Sequence, residues 1–331
     1  MTSAATLPGD PSSWSLHDLV GQAPVFLRLA DALSSLADEG APLAVCTADL
    51  KYSNGLSRFE QRHPGRFFQF GIAEQNMVSA AAGIATTGFE TYVATFASFL
   101  ALLCCEQIRS DVAYTRQRVR LVGHHAGISL GFYGSSHHAT EDLAIMRSIA
   151  GLTVLAPADA PSVSATVRAL HDFDGPAYVR IGRGREPDVY GDDMSFTIGR
   201  AITHCTGEEL TIIATGSMVH PAREAVERLR SAGRSVGLLD MHTVKPIDTE
   251  AVLKAAANTR AVMTVEEHNV LGGLGGAVAE VVASAGLETI VCRHGIDDTF
   301  SLIGPPTHLY AHYELDAPGI ERRARLLLDT G

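Results

Sequence analysis

The stretch Phe67–Ala85, FFQFGIAEQNMVSAAAGIA, narrows the possible folds more than any other part of the chain. Aromatic and aliphatic residues ending in Gly71 have the profile of a buried strand closed by a tight turn. After Glu74, the residues Met77, Val78, Ala81, Ala82, Ile84 and Ala85 recur at helical spacing, with alanines that let another backbone approach. This is a strand–turn–helix unit with one acid at its junction. A carboxylate in apolar company is costly unless it is protonated or paired. Glu74 reads either as a helix-start acid in the macrodipole or as a carboxyl of raised pKa used in catalysis. The stretch alone leaves both open.

The same rhythm runs on both sides. Leu16–Leu36 carries apolar residues at helical spacing and predicts one or two helices. Strand Leu43–Cys46 leads to the polar loop Thr47–Gly55, and strand Glu90–Thr95 to a helix from about Ser98 to Tyr114. Strand Val119–His124 leads to the long loop Ala126–His138 and a helix near Thr140, followed by Thr153–Ala156, helix Ala160–Phe173 and strand Ala177–Ile181. Composition then shifts: Gly182–Arg200 is rich in Gly, Pro and charge. Beyond it the alternation resumes with Leu210–Ala214, Pro221–Ala232, Val236–Asp240, Thr249–Ala257, Ala261–Val265 and Gly275–Ala285. Strands alternating with helices through short connections predict α/β architecture: two doubly wound domains, the first on a mainly parallel sheet, the second smaller. The expected division is a mobile tail over 1–15, a first domain over 16–187, a linker over 188–200 and a second domain over 201–331.

Charge and cysteines exclude several classes of partner. The formal net charge is −11 and the arginines are dispersed, so nucleic acid is not expected. No run of 18 apolar residues offers a membrane span, and the polar N-terminal MTSAATLPGDPSSW lacks the basic and apolar regions of a signal peptide. The five cysteines form no CxxC pair, and vicinal Cys104–Cys105 lies in an apolar run; a reducing cytoplasm is expected. The Gly272–Gly276 run (GGLGG) is out of register with a dinucleotide-binding fingerprint, and reads as a turn allowing close helix packing.

In a parallel α/β sheet, ligands bind where loops leave the carboxyl ends of strands. Three such places carry chemistry. His124–His125 and His137–His138 bracket a small-residue, Gly-bounded loop, which suits imidazoles acting as proton shuttles or hydroxyl ligands. No acidic or cysteine ligand stands at metal spacing, so no metal is assigned to this chain. Phe96 and Phe99 read as core, or as a surface on which a flat heterocycle could stack. Arg180 and Arg183 read as an anion site at a domain edge, or as solvated linker charges.

GIAEQNMV, the Phe96/Phe99 pair in TFASFL, His125 and His137 twelve residues apart, and the Arg183 segment follow in order; LDMHTVKPID and EEHNVLGGLGGAVAE come later. Together they resemble the C-terminal half of transketolase, its pyrimidine-binding domain plus its C-terminal domain, and most closely the free-standing small subunits of split transketolases. The resemblance spans roughly Leu16 to Leu328. It implies a fold with a thiamine-diphosphate-binding (pyrimidine) parallel-sheet domain. It also implies that Glu74 hydrogen-bonds N1′ of the aminopyrimidine of thiamine diphosphate, with Phe96 and Phe99 packing on that ring and Asp49 in the cofactor site. By the same resemblance, Arg28, Ser53 and Arg183 contact substrate phosphate, and His125 and His137 contact the sugar near its reacting carbon.

Two departures bear on substrate. Tyr133 stands where the family has an acid that reads donor hydroxyl stereochemistry, and Leu102 stands where full-length members often carry another aromatic ring. A third departure bears on partners. No GDG, the start of the family's Mg²⁺- and diphosphate-holding motif, occurs anywhere in the chain. The resemblance therefore implies a large subunit holding Mg²⁺ and the diphosphate, an α2β2 heterotetramer with interfacial sites, and ketol transfer between sugars or sugar phosphates. Other readings are a subunit resembling deoxyxylulose-phosphate synthase or the β-type subunit of a 2-oxo acid dehydrogenase, and a non-catalytic assembly subunit.

Overall fold

Runs of apolar and β-branched residues too short for a helix settle into two sheets. In this computed structural model, residues 23–184 and 186–329 are described. The expected tail and the first residues of the Leu16–Leu36 helix lie outside them; the rest of that helix is Pro24–Asp38. The first sheet contains β1 (Leu43–Thr47), β2 (Phe67–Gln69), β3 (Glu90–Phe96), β4 (Val119–His124), β5 (Thr153–Leu155) and β6 (Ala177–Arg180). The second contains β7 (Ile202–Cys205), β8 (Leu210–Ala214), β9 (Val236–Asp240), β11 (Ala261–Asn269) and β12 (Ile290–Ile296). Between β9 and β11 runs β10 (Thr243–Lys245), which leaves its own half of the chain and joins the first sheet.

The first sheet has the order β10-β5-β6-β4-β3-β1-β2, parallel except for β10, which lies antiparallel to β5. Alternate residues of each strand face opposite layers, as a strand's period of two requires. Leu43, Val45, Tyr92, Ala94, Val122 and Val179 pack beneath helices Pro24–Asp38 and Ala160–His171. Cys46, Val93, Leu121, Val154 and Tyr178 pack beneath Glu74–Ala85, Ala97–Leu103 and Asp142–Ser148. Helices on both faces make the sheet doubly wound. The second sheet, β12-β11-β8-β9-β7, repeats the plan with an antiparallel edge strand β7.

Several expectations need correction. The Phe67–Phe70 strand is not buried: β2 is an edge strand, Phe68 is 39% exposed, and nothing in the described residues covers its far side. The single helix over Ser98–Tyr114 is broken at Cys104, and its last turns widen to the five-residue spacing of the Tyr114 N–H to Arg109 C=O bond. Strands β7, β10 and β12, and helices Ser57–Arg62, Pro306–His312 and Ala317–Asp329, were not foreseen. The Gly-rich turn behaves as expected for close packing. Leu274 and Gly275 donate to the buried Glu266 carboxylate at 2.6 and 2.8 Å, and a Cβ on Gly273 would lie 2.0 Å from Glu266 Oε2. A side chain of the protein thus occupies the helix start where a nucleotide phosphate would otherwise bind.

Candidate active site

Strands β1, β2, β3 and β4 run parallel, so Thr47, Gln69, Phe96 and His124 end at one edge of the sheet. The loops that follow carry most of the singled-out residues. Phe96, the last residue of β3, sits at the centre of a ring cluster. Phe99 meets it edge-on at 5.4 Å between centroids, His125 lies at 5.1 Å and His137 at 5.5 Å. Phe99 and His137 are 5.2 Å apart, and the Ser98 hydroxyl donates to the His137 carbonyl at 3.1 Å, tying the aromatic helix to the histidine loop. Tyr133 covers the outer side of His137 at 4.8 Å.

The histidines differ in exposure. His125 is buried, its ring stacked 5.3 Å from Phe26, with Nδ1 2.7 Å from Nδ1 of His124. Its φ of +55° is left-handed, costing roughly 1–3 kcal/mol for a residue with a Cβ. Its N–H bond to Gly182 and the neighbouring Ala126–Ile181 bond hold that conformation. Backbone strain of this kind is a common property of functional loops. His137 is half-buried; its Nδ1 pairs with the Ser136 hydroxyl at 2.9 Å, leaving Nε2 for a ligand. Burial lowers its pKa below the usual imidazole range, so it enters neutral chemistry as a hydrogen-bonding group and not as a cation. His124 and His138 are buried further and pushed down to about 3 and about 4.

Glu74 opens the helix Glu74–Ala85, is 8% exposed, and has no hydrogen-bond or ion-pair partner among the described residues. Its charge and, more strongly, burial push the nearby Cys104 thiol up to about 12. Asp49, exposed and left-handed at φ +60°, donates its N–H to Gln69 Oε1 at 2.6 Å, which joins the loops after β1 and β2. Ser53 is buried in the same loop and already has an interaction within the chain.

The arginines separate. Arg180 is no anion site: it is buried against Asp142 at 2.9 Å and donates to the carbonyl of Glu267 at 2.8 Å. The Asp142 and Glu267 charges hold its pKa up despite burial. Gly123 must lack a side chain here, because a Cβ would lie 2.4 Å from the Tyr178 hydroxyl that donates to Asp142. Arg183 is half-buried, and the N–H of Val25 bonds the carbonyl of Gly184, bringing its segment beside the Arg28 helix. Arg28 pairs with Asp192 at 2.6 Å in a partly exposed position.

The structure thus brings together Phe96, Phe99, His125 and His137, and places Glu74 and Asp49 on the same sheet edge. It adds residues that sequence reasoning missed. The Glu267 carboxylate accepts the N–H of Ile128 at 2.7 Å, and Ser301 Oγ bonds His138 Nδ1. The only hint was the run VEEHN, two acids directly after what reads as the strand Ala261–Val265. Among the described residues no three His, Cys, Asp or Glu converge as metal ligands.

Comparison with known proteins agrees with this architecture. Residues 25–187 match the transketolase pyrimidine-binding domain and 199–320 the transketolase C-terminal domain. A Methanocaldococcus jannaschii protein named for the C-terminal section of transketolase is 41% identical over 88% of this chain and 92% of its own length. One of the subunits of the apulose-4-phosphate transketolase of Phocaeicola vulgatus is 37% identical over 89% of this chain and 94% of its own. A solved split-gene transketolase, in an inactive β4 tetramer, superposes with a TM-score of 0.83 at 37% identity, covering 91% of this chain and 97% of that one.

Proposed function

We propose that this chain, which belongs to the transketolase family, is the small subunit of a two-chain transketolase that moves a two-carbon ketol unit from a ketose or ketose phosphate to an aldehyde. The carrying observation is the pairing of a buried, unpartnered carboxylate, Glu74, with an edge-to-face phenylalanine pair at the carboxyl edge of one sheet. Those residues fit an aminopyrimidine, a flat ring with a basic nitrogen at its rim. Thiamine diphosphate, when bound, supplies the electron sink that a C–C bond cleavage needs.

The chain's own groups divide the remaining work. Glu74 holds a proton at the ring nitrogen, and Phe96 and Phe99 exclude water from the ring's flank. His137 presents Nε2 to a sugar oxygen, and His125, enclosed in the ring cluster, reaches the reacting carbon's substituents if Phe26 shifts with substrate. Asp49 borders the cofactor, while Arg28, Ser53 and Arg183 receive a phosphate or equivalent anion. For Arg28 this means exchanging Asp192 for substrate. Tyr133 over His137 replaces a charged wall with an aromatic one, which favours a specialised donor.

Mg²⁺ and the diphosphate belong to a large subunit carrying a GDG motif, assembled with this chain as α2β2 in a reducing cytoplasm. The reading divides the chain into a 16–187 domain, a 188–200 connector and a 201–331 domain, which family matches over 25–187 and 199–320 support. The relative whose β4 tetramer is inactive supports the split. The test is reconstitution with a GDG-containing large chain, thiamine diphosphate and Mg²⁺. Ketol transfer by the mixture, and by neither chain alone, is expected. Turnover by this chain alone would overturn the split site, and release of CO₂ from pyruvate without ketol transfer would overturn the reaction class.

A further inference from the structure

The motif EEHN stands out in the sequence, yet the site described above gives it no chemical task. The structure gives it a mechanical one. The histidine loop closes on itself through paired bonds between Gly127 and Ala139, and its lobe lies against the second half of the chain along its whole length.

At the start of the lobe, the buried Glu267 accepts the Ile128 N–H and is held in turn by the hydroxyls of Ser217 and Tyr310, at 2.7 and 2.8 Å. Gly127 is left-handed, and a Cβ there would lie 2.2 Å from Glu267 Cδ, so the loop backbone rests directly on the carboxylate. In the middle, Gly304 donates to the Gly131 carbonyl, and Ile303 fills the space a Cβ on Gly134 would need, at 2.8 Å. At the end, Ser301 Oγ bonds His138, and Asn269 donates its N–H to the Thr140 carbonyl at 2.8 Å. Tyr133 and His137 lie between these anchors.

We propose that Glu267 and Ser301 are positioning residues through which the second half of the chain sets the orientation of His137 and Tyr133 toward a bound sugar. This rests on the transketolase reading of the site. The alternative, a loop held only by its own hydrogen bonds, does not explain why three left-handed glycines, Gly127, Gly131 and Gly134, each abut a residue of the other half. A glutamine at 267 could keep its carbonyl on the Ile128 N–H and turn its NH₂ to the Ser217 hydroxyl, so a leucine, which removes both acceptor oxygens, is the informative change. The hydroxyls of Ser217 and Tyr310 can rotate toward other acceptors; the Ile128 N–H cannot.

The experiment uses the reconstituted holoenzyme with the Glu267→Leu and Ser301→Ala variants. Steady-state kinetics are read beside calorimetric thiamine diphosphate affinity and amide hydrogen exchange over 126–138. A misplacement of about 1 Å costs on the order of 100-fold in rate. Glu267→Leu is therefore expected to lose about 10- to 100-fold in kcat, with cofactor affinity unchanged and exchange in the loop about tenfold faster. Ser301→Ala is expected to show a smaller loss of the same pattern, reversed by Ser301→Thr. Rates and exchange within about twofold of wild type would overturn the proposal, as would a fall in kcat matched by an equal fall in cofactor affinity. If Glu267→Leu fails to fold, the Ser301 pair decides. If the wild-type holoenzyme transfers no ketol unit from any donor, the transketolase reading fails, and loop exchange in the same variants still decides whether the anchors hold the loop.

Discussion

At one flank of the seven-stranded sheet, β10 arrives from the other half of the chain and closes the edge; at the opposite flank, β2 lies open. The closed flank satisfies its own carboxylates. Arg180 and Asp142 neutralise one another in the interior, and Glu267 has every oxygen occupied; His138 pairs Nδ1 with Ser301, while its buried Nε2 has no partner among the described residues. The open flank does not. Phe68, Ile72, Leu102 and Leu103 are exposed, Ile72 at 84%, and the Gln75 side chain donates to the Leu103 carbonyl, so this surface lies near Glu74, which has no hydrogen-bond or ion-pair partner among the described residues. Exposed apolar side chains next to an unpartnered buried acid mark a place where another chain or a ligand completes the structure. The same sheet therefore carries a rigid half-site, which the chain builds itself, and an incomplete one.

The widest separation of the two flanks should come from Glu74→Gln. It is expected to lower kcat of the reconstituted enzyme by about 10²–10⁴-fold, the range for losing a proton-transferring group, while leaving the urea midpoint of the isolated chain in place. A comparable loss of stability would mean that Glu74 belongs to the core and the flanks do not differ as described.

Arg180→Met tests the closed flank. It strands Asp142 in the interior, and breaking a buried pair this way costs about 3–5 kcal/mol, readable as a lower urea midpoint with unchanged slope. A drop below about 1 kcal/mol would show that water reaches this flank too.

Acid should weaken the closed flank through His138. Its folded pKa, about 4, lies below the ordinary imidazole value near 6.5, so the unfolded chain binds the extra proton. Its contribution is fully present above pH 6.5 and is lost as pH falls from there toward 4, by about 1–2 kcal/mol at pH 5. Glu186 and Asp240, each raised to about 7 by burial, act with opposite sign over an overlapping range. The check is therefore differential: His138→Gln should lose less stability than wild type between pH 7 and pH 5. An identical pH slope in both proteins would remove His138 from this account.

The smallest effect on the folded chain is expected from Ile72→Asp. An exposed position should move stability by no more than about 0.5 kcal/mol. Sedimentation should nonetheless show weaker association with the large subunit or with a second copy. Unchanged assembly would take the open flank out of the interface.

Much of this was legible in residue patterns. Strands β1, β3, β4, β8 and β9, and the helix that starts at Glu74, follow from short β-branched runs, helical apolar spacing and glycine turns, because those signals are local. The resemblance carried by GIAEQNMV, TFASFL and the histidine spacing found the family before any coordinate was needed. The misses have one cause. β10 is a three-residue strand whose partner lies some ninety positions earlier, Arg180 looks identical in sequence whether it meets Asp142 or a phosphate, and the exposure of β2 depends on what lies beyond it.

What the sequence by itself determined is the alternation of elements, the class of chemistry, and the residues that can perform it. The tertiary structure alone decided which carboxylate stays unpartnered and which is spent. Glu74, Glu266 and Glu267 each follow a largely apolar run in the sequence. Only the folded chain brings helix N–H groups to Glu266, and a loop amide and two hydroxyls to Glu267, while among the described residues none hydrogen-bonds or ion-pairs with Glu74. The physical reason is that satisfying a buried charge requires donors from distant segments, and the approach of those segments is a property of the whole fold.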